Sequence, residues 1–339
     1  MSQQQLIKKA IINVKSILDL SIHSYESKRI AIIYDLDHPL ANILYHAYRA
    51  NLINAEFIEF NDSNKNDLIT LFDSLEKGDL VIMIQSSNFR INEFRIRLHL
   101  FEKGVKVVEH MHLYRNSTDQ YDTYINSLNY DKKWYQRASE SLNSTLVNLD
   151  SLVIQYKDDK LEINGKLELP KPNIGDYTNM KNIGGAYPIG EIFTEVEDFK
   201  NLNGTVWIYG YANKNFDVIF VEPFWVKIIE SLIVEVSPEA PIEFCEIIKH
   251  VSEYETPLIR EIGFGLNKAI TRDKPLGDIT AYERTIGFHL SLGHKHSVYK
   301  KEGIKAHKAR FHIDLFIQTD IIFTDKTVIF ENNKYVFDI

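Results

Sequence analysis

Five residues in the C-terminal half of the chain have side chains that commonly bind metal ions. They stand among glycines or apolar residues, where an unpaired charge is expensive to bury. They are Glu191 in "GEIFTE", Glu261 in "REIGFGLN", His289 in "GFHLSLG", and His312 with Asp314 in "ARFHIDLFIQTD". Three carboxylates offset most of the charge of two divalent cations, one carboxylate can bridge them, and two neutral imidazoles complete the ligand set. Two such cations can share a hydroxide that attacks a carbonyl at neutral pH.

The spacing of His312 and Asp314 suits a metal site but does not require one. On a β-strand these two side chains point to the same face, and Phe311, Ile313 and Leu315 point to the other. A pair of this kind can bind a metal ion. It can equally be a core histidine that is hydrogen-bonded to its aspartate, and the residues alone leave both alternatives open.

The N-terminal half alternates between apolar runs and helical patterns. An amphipathic helix at the start is followed by the strand pattern "KRIAIIYDLD", the helical pattern "HPLANILYHAYRAN" and the strand pattern "AEFIEF". Further strands are predicted at "DLVIMIQ" and "VKVVEH". This order predicts a small parallel sheet covered by helices. The turn "YDLDHPLAN" after the first strand contains no glycine, which argues against a dinucleotide site.

From about residue 150 the sequence is dominated by strand patterns, with one clear helix across "IEFCEIIKHVSEYE". We therefore predict an α/β protein with two domains. Residues 1–150 form the parallel α/β scaffold domain, and residues 151–339 form a β-rich α+β domain that binds metal and carries out catalysis.

Composition narrows the possible partners. The 339 residues include 44% hydrophobic and 12% aromatic residues, which is sufficient for a full core. The net charge of -8 is dispersed along the chain, so no nucleic-acid partner is expected. The single cysteine, Cys245, excludes a metal site built from cysteines. The N-terminal sequence has no secretory pattern and no window suits a membrane span, so we expect a cytoplasmic protein without a membrane partner.

Several other charged residues are expected to play ordinary surface roles. His110 and His112 are predicted to be loop or rim histidines. Three arginines are predicted to be solvated, or alternatively to bind an anionic substrate: Arg90, Arg95 and Arg97. Three acidic residues are predicted to lie in a solvated turn, or alternatively to bind a substrate amine: Glu195, Glu197 and Asp198. Arg260 is expected to orient either a ligand carboxylate or a substrate carboxylate.

The blocks "GEIFT", "REIGFGLN", "GFHLSLG" and "FHIDL", in this order, resemble those of the aminopeptidase T/aminopeptidase S family of metallopeptidases. The N-terminal half also resembles the α/β domain of that family. The resemblance implies a dinuclear metal centre held by two glutamates, two histidines and an aspartate. These ligands match the five candidate residues, Glu191, Glu261, His289, His312 and Asp314.

The resemblance further implies an aminopeptidase, a hydrolase that removes the N-terminal residue of a small peptide by means of a metal-bridged hydroxide. The two divalent ions are expected to be zinc, cobalt or manganese, with iron as an alternative, and the chain is expected to form a homodimer. One catalytic position departs from the family. His296 stands where family members have a tyrosine that stabilises the tetrahedral intermediate, and a histidine can also donate a hydrogen bond there.

Two alternative functions stay open. Dihydroxypyridine ring-cleaving dioxygenases are similar to the same peptidase family. His289, His312 and Asp314 have the composition of the two-histidine, one-carboxylate triad that binds Fe(II) in such enzymes. The other alternative is a non-catalytic family member, which the missing tyrosine would favour.

Overall fold

The computed structural model of the protein describes residues 1–178, 180–293, 299 and 310–337. The helices are α1 (Gln3–Leu20), α2 (Pro39–Asn51), α3 (Lys65–Ser74), α4 (Ile96–Glu102), α5 (Tyr121–Ser127), α6 (Lys132–Val147), α7 (Ile242–Tyr254) and α8 (Ile279–Tyr282). The strands are β1 (Ile30–Tyr34), β2 (Glu56–Glu59), β3 (Leu80–Ile84), β4 (Lys106–His110), β5 (Ser151–Tyr156), β6 (Asp159–Asn164), β7 (Lys171–Asn173), β8 (Gly184–Ala186), β9 (Glu191–Thr194), β10 (Leu202–Ala212), β11 (Val218–Ile229), β12 (Leu232–Val236), β13 (Ile259–Gly265), β14 (Gly287–Leu292), β15 (Ile313–Gln318), β16 (Ile321–Thr324), β17 (Val328–Glu331) and β18 (Lys334–Tyr335).

These elements form two compact units, and each unit is discontinuous in sequence. The first comprises Met1–Trp134, Gly175–Ile189 and Ala269–Ala281. The second comprises Tyr135–Ile174, Gly190–Lys268 and Tyr282–Ile339.

The first unit contains a five-stranded parallel sheet in the order β2-β1-β3-β4-β8. Strands β1, β3 and β4 have buried central residues, as expected for parallel strands that are covered on both faces. In register, Ile32 of β1 lies between Phe57 of β2 and Ile82 of β3. The parallel sheet predicted from the apolar runs is therefore present.

Helix starts in this unit follow local chemistry. Helix α1 begins after Ser2, whose hydroxyl accepts a hydrogen bond from the backbone N–H of Gln5 while the Gln5 side chain accepts one from the Ser2 backbone. Helix α2 begins at Pro39, a position where the absent N–H costs nothing. Both helices bury an apolar stripe, which gives them a fixed packing face.

The second unit is built on a 13-stranded antiparallel sheet. Eleven strands follow the order β18-β17-β16-β5-β6-β10-β15-β14-β13-β9-β7, and β11 and β12 continue from β10. The prediction of an α/β protein with a parallel α/β region and a β-rich region is confirmed. Within the described residues, no helix has both the length and the apolar character that a membrane crossing would need.

His110 corrects one sequence-based expectation. It is the last residue of β4 and is fully buried, so it is not a rim histidine. Its Nε2 lies 2.7 Å from the Tyr48 hydroxyl and its Nδ1 lies 3.0 Å from the Tyr124 hydroxyl. Burial lowers the pKa of His110 to about 3, and the neutral ring, with one donor and one acceptor, suits two tyrosine partners.

The buried His110 predicts a specific loss of stability in acid. The folded state takes up this proton only near pH 3, whereas an unfolded histidine takes it up near pH 6.5. The contribution is therefore complete above pH 6.5 and is lost as the pH falls towards 3. Between pH 7 and 4.5 the wild type should lose about 2.5 kcal/mol more unfolding free energy than His110→Gln, which cannot titrate.

Urea unfolding across this pH range would measure the difference. His46→Gln, at an exposed histidine of α2, is the control and should keep the pH dependence of the wild type. Equal pH dependence of His110→Gln and the wild type would contradict the prediction.

Candidate metal centre

The five predicted ligands come together in the second unit. Four neighbouring strands carry them, because β9, β13, β14 and β15 are adjacent in the sheet. They are Glu191 in β9, Glu261 in β13, His289 in β14, Asp314 in β15, and His312 directly before β15. The remaining predicted site residue, His296, lies outside the described residues.

Strand register places two of the ligands in one row across the sheet. Ser291 of β14 lies opposite Glu261 on one side and opposite Asp314 on the other. The Ser291 Oγ is 2.5 Å from Asp314 Oδ1 and 3.3 Å from Glu261 Oε1. The hydroxyl has one proton, which it donates to the nearer carboxylate, Asp314, while Glu261 lies within reach on the other side. The sequence analysis missed Ser291, although it stands two residues after His289 on the same strand and must share its face.

The donor atoms fall into two groups that share one residue. In the first group, donor atoms of Glu191, Glu261 and His289 lie within 4.8 Å of one another. In the second group, donor atoms of Glu261, His312 and Asp314 do the same. Glu261 belongs to both groups, which is the position of a carboxylate that could bridge two cations.

The residues present fit metal ions. His289 is fully buried, and neither of its ring nitrogens has a hydrogen-bond partner of good geometry among the described residues. Its Nε2 nevertheless lies 3.4 Å from Glu191 Oε1 and 3.6 Å from Glu261 Oε1. Imidazole nitrogens and carboxylate oxygens are ligands that suit zinc, iron and manganese. A cation between these atoms would give the buried ring nitrogen a partner.

Electrostatics in the metal-free chain show how strongly the cluster attracts positive charge. Burial alone would lower the pKa of His289, but Glu191 and Glu261 raise it to about 10. Burial would likewise lower the pKa of His312, yet Asp314, at 3.2 Å, raises it to about 10. Both imidazoles are therefore protonated in the metal-free chain at neutral pH. Since a metal ion needs the neutral ring, metal binding must displace these protons and must strengthen as the pH rises.

Gly263 makes the position of His289 possible. The two residues lie opposite each other in the pairing of β13 with β14. A Cβ atom on residue 263 would lie 2.0 Å from His289 Nε2, which is less than any real contact. The glycine in "REIGFGLN" thus leaves the space that the imidazole occupies.

Arg284 and Glu283 lie beside the candidate ligands, and no sequence pattern had indicated them. Arg284 Nη1 is 2.7 Å from Glu191 Oε2 and also pairs with Glu283. Burial raises the pKa of Glu283 well above its usual range, and the nearby Glu191 adds to the effect although Arg284 opposes it. The site therefore holds an arginine that orients one candidate ligand and a buried carboxyl group whose pKa is raised.

Arg260 and Glu195 are arranged differently from the expectation. The Arg260 Nη2 donates to Glu195 Oε2 at 3.0 Å, and both side chains are buried. Arg260 therefore pairs with Glu195, which is not in a solvated turn because the pair places it in the core. Glu197 and Asp198 are exposed, in agreement with the first interpretation.

Comparison with known proteins supports the fold. No protein-family model matches the chain, and no curated protein matches it either. Among solved structures, a 2,5-dihydroxypyridine dioxygenase from Pseudomonas putida KT2440 is similar with a TM-score of 0.63 and 15% identity, over 99% of this chain and 98% of that one. The wild-type AmpT of Thermus thermophilus, an aminopeptidase T, is similar with a TM-score of 0.61 and 12% identity, over 98% of this chain and 99% of that one.

The chain shares the fold of both enzymes. At these identities the likeness extends to the architecture and not to family membership. The two donor groups described above form a candidate metal site.

We predict that Gly263→Ala removes metal from the group around His289. The new methyl group would take the space of the ring, so the imidazole must leave its position opposite Gly263. The expected result is loss of about one bound metal per chain, measured by elemental analysis, because three aligned donors would become two.

Gly210→Ala is the matched control. Gly210 is also a glycine within a strand, but there the nearest atom to an added Cβ lies 3.3 Å away. This variant should retain its metal. A full metal content in Gly263→Ala, with a folded chain by circular dichroism, would be incompatible with the assigned position of His289.

Proposed function

We propose that the protein is a metal-dependent hydrolase of the aminopeptidase type, which removes the N-terminal residue of a small peptide at a centre of two divalent cations. The observation that carries the proposal is the membership of Glu261 in both donor groups. A carboxylate placed between two sets of ligands is what a pair of neighbouring cations requires, and a single cation has no need for it.

In this proposal Glu191, Glu261 and His289 would hold the first cation, and Glu261, His312 and Asp314 would hold the second. When bound, two such cations lower the pKa of a water molecule and polarise a carbonyl group. Three carboxylates against two divalent cations leave a net positive charge, which favours an electron-rich carbonyl oxygen in the site.

The remaining residues of the centre have positioning and proton-handling roles in the proposal. Arg284 holds Glu191 through its Oε2, so Oε1 remains directed towards His289. Ser291 donates to Asp314 and lies between Asp314 and Glu261 in the strand register. Glu283 would accept a proton from the attacking water on its carboxylate and return it to the amine that leaves, which is the usual role of a carboxyl group with a raised pKa.

A cavity beside His312 could hold the side chain of the substrate's N-terminal residue. Its volume is about 270 Å3, and its lining includes His312, Phe216, Ile247 and Phe311. The lining also includes Lys214, His250 and Arg310, so apolar and polar residues contribute about equally. Small-molecule sites commonly combine both kinds of group.

The second candidate is a mononuclear Fe(II) dioxygenase that uses His289, His312 and Asp314. The similarity to a dihydroxypyridine dioxygenase supports it. Against it, the histidines belong to different donor groups, and each group also includes Glu261. A single iron site would leave that buried carboxylate without a cation.

Metal content distinguishes the two candidates. For protein purified without chelator, we expect elemental analysis to give about two zinc, cobalt or manganese ions per chain. Glu191→Ala and His312→Ala should each reduce this to about one, because each removes a ligand of one cation. Glu261→Ala should remove both cations, because it removes a ligand from each.

Glu222→Ala serves as the control, since it removes an exposed carboxylate of β11 and should keep both ions. A single iron per chain that survives Glu191→Ala would favour the dioxygenase. Unchanged stoichiometry in all three site variants would refute the ligand assignment.

The role of His296 rests on the sequence and needs a separate test. We predict that His296→Tyr preserves or raises aminopeptidase activity, because the tyrosine hydroxyl donates a hydrogen bond to the oxyanion at any pH below about 10. The histidine form should depend on pH near neutrality, where imidazole titrates. Kinetics on an amino-acid p-nitroanilide between pH 6 and 9 would measure both effects.

His294→Tyr is the matched control, and it should bring no gain and no change in the pH profile. If His296→Tyr retained its metal but lost all activity, the proposed role of this position in stabilising the oxyanion would be wrong.

A further inference from the structure

A second site candidate lies within the first unit and shares no residue with the five metal-ligand candidates. A cavity of about 550 Å3 opens beside the carboxyl ends of β3 and β4. Its lining includes Met83 in β3, Glu109 in β4, and the segment that follows β3. Open parallel sheets bind their ligands at this edge, and the volume lies in the range of small-molecule sites.

Gln85 is a lining residue of this cavity with a buried hydrogen-bond donor. The side chain is 1% exposed and lines the cavity. Its Oε1 accepts a hydrogen bond from the backbone N–H of Phe89 at 2.8 Å, which fixes the orientation of the amide. Its Nε2 has no hydrogen-bond partner among the described residues. A buried amide donor without a partner costs free energy, and a ligand that accepts its hydrogen bond would recover it.

The cavity also has unpaired positive charge. Arg97 donates to Glu109 at 2.5 Å and is thereby neutralised. Arg90 and Arg95 line the same cavity and form no ion pair within the part of the chain that the structure describes. The lining contains three guanidinium groups, of Arg90, Arg95 and Arg97, and two carboxylates, of Glu93 and Glu109. Its net charge is therefore +1, whereas the net charge of the whole chain is -8.

Aromatic side chains form the apolar part of the lining. Phe89 and Phe94 both border the cavity. Phe89 is stacked on Phe60 with ring centroids 4.1 Å apart, and Phe94 is stacked on Phe72 at 6.3 Å. These rings are held in place by the core, so they offer a fixed surface to a flat apolar group.

We propose that this cavity binds a small organic anion. The carboxylate or phosphate group pairs with Arg90 and Arg95 and accepts a hydrogen bond from Gln85, while the apolar body lies against Phe89 and Phe94. Guanidinium groups recognise both kinds of anion through paired N–H donors, and the bound charge is compensated by the free arginines.

Isothermal titration calorimetry of the full chain tests the proposal with benzoate and phenyl phosphate as probes. At least one should bind, and the stronger of the two identifies the class of anion. Benzamide, which lacks the charge, and inorganic phosphate, which lacks the ring, should each bind at least about tenfold more weakly. The titrations are repeated on Glu261→Ala, so that anions bound at the proposed metal centre do not contribute; binding should persist in that variant whether or not the proposed function is correct.

Variants assign the binding to the cavity. The double variant Arg90→Gln/Arg95→Gln should weaken anion binding by at least about tenfold. Lys8→Gln/Lys28→Gln removes the same charge from exposed positions elsewhere and should leave the affinity within about twofold of the wild type. Gln85→Glu keeps the acceptor for the Phe89 N–H but replaces the free donor with a carboxylate, so it should abolish binding.

Three results would overturn the proposal. They are equal affinity in Arg90→Gln/Arg95→Gln and the wild type, equal affinity for benzamide and benzoate, and no heat of binding for either anion at millimolar concentration. Thermal unfolding of each variant confirms that it is folded before the affinities are compared.

Discussion

The position of the Glu261 carboxylate is the constraint on which the rest of the second unit depends. It must reach donor atoms on strands at both sides of β13, and it is 5% exposed, so water cannot compensate its charge. An unpaired buried carboxylate is strongly unfavourable. Strand β14 contributes two groups that lie close to it, the imidazole of His289 and the hydroxyl of Ser291. A shift of β13 by one residue would turn Glu261 to the other face of the sheet, so the register of these strands and the site are fixed together.

The balance of charge in the cluster couples the site to folding. In the metal-free chain, the protons on His289 and His312 and the guanidinium of Arg284 compensate the surrounding carboxylates. Divalent cations would supply more positive charge than these protons and would act at shorter range. Because an unfolded chain has no such cluster, the free energy of metal binding would add to the free energy of unfolding. The same compensation explains why an arginine is buried beside the cluster, where its own desolvation is costly.

The sequence predicted the parts of this structure that depend on local pattern. Apolar runs predicted the parallel strands, and the alternation of side chains along a strand placed His312 and Asp314 on one face. Partners from distant strands could not be predicted, because the strand order in the sheet does not follow the chain: β15 pairs with both β10 and β14. Ser291 was missed for this reason, since its role depends on lying between two strands and not on its own surroundings in sequence.

The burial of individual polar residues was the second feature that the sequence did not predict. His110 stands at the predicted end of a strand and Glu195 stands in an acidic segment, so both were expected at the surface, yet both are buried because tertiary partners satisfy them. The burial of His110 depends on a tertiary partner, and Tyr48 lies 62 positions away in the sequence. Glu191 and Glu261 stand among glycines and apolar residues, which indicated that their side chains are buried.

The fold by itself does not decide between hydrolysis and oxygen chemistry, since a dioxygenase and an aminopeptidase T both share it. The decision lies in how the donors are grouped. A two-histidine, one-carboxylate site collects its three ligands on one ion and leaves positions open for oxygen and substrate. Here His289 lies with Glu191, while His312 lies with Asp314, and Glu261 joins the two groups. If one ion drew His289, His312 and Asp314 together, Glu191 and Glu261 would remain as buried carboxylates with only Arg284 and Ser291 to compensate them among the contacts described above. Two ions would bind all three candidate carboxylates, Glu191, Glu261 and Asp314. No candidate carboxylate would then be buried without a cation, and this is the physical reason to favour the hydrolase.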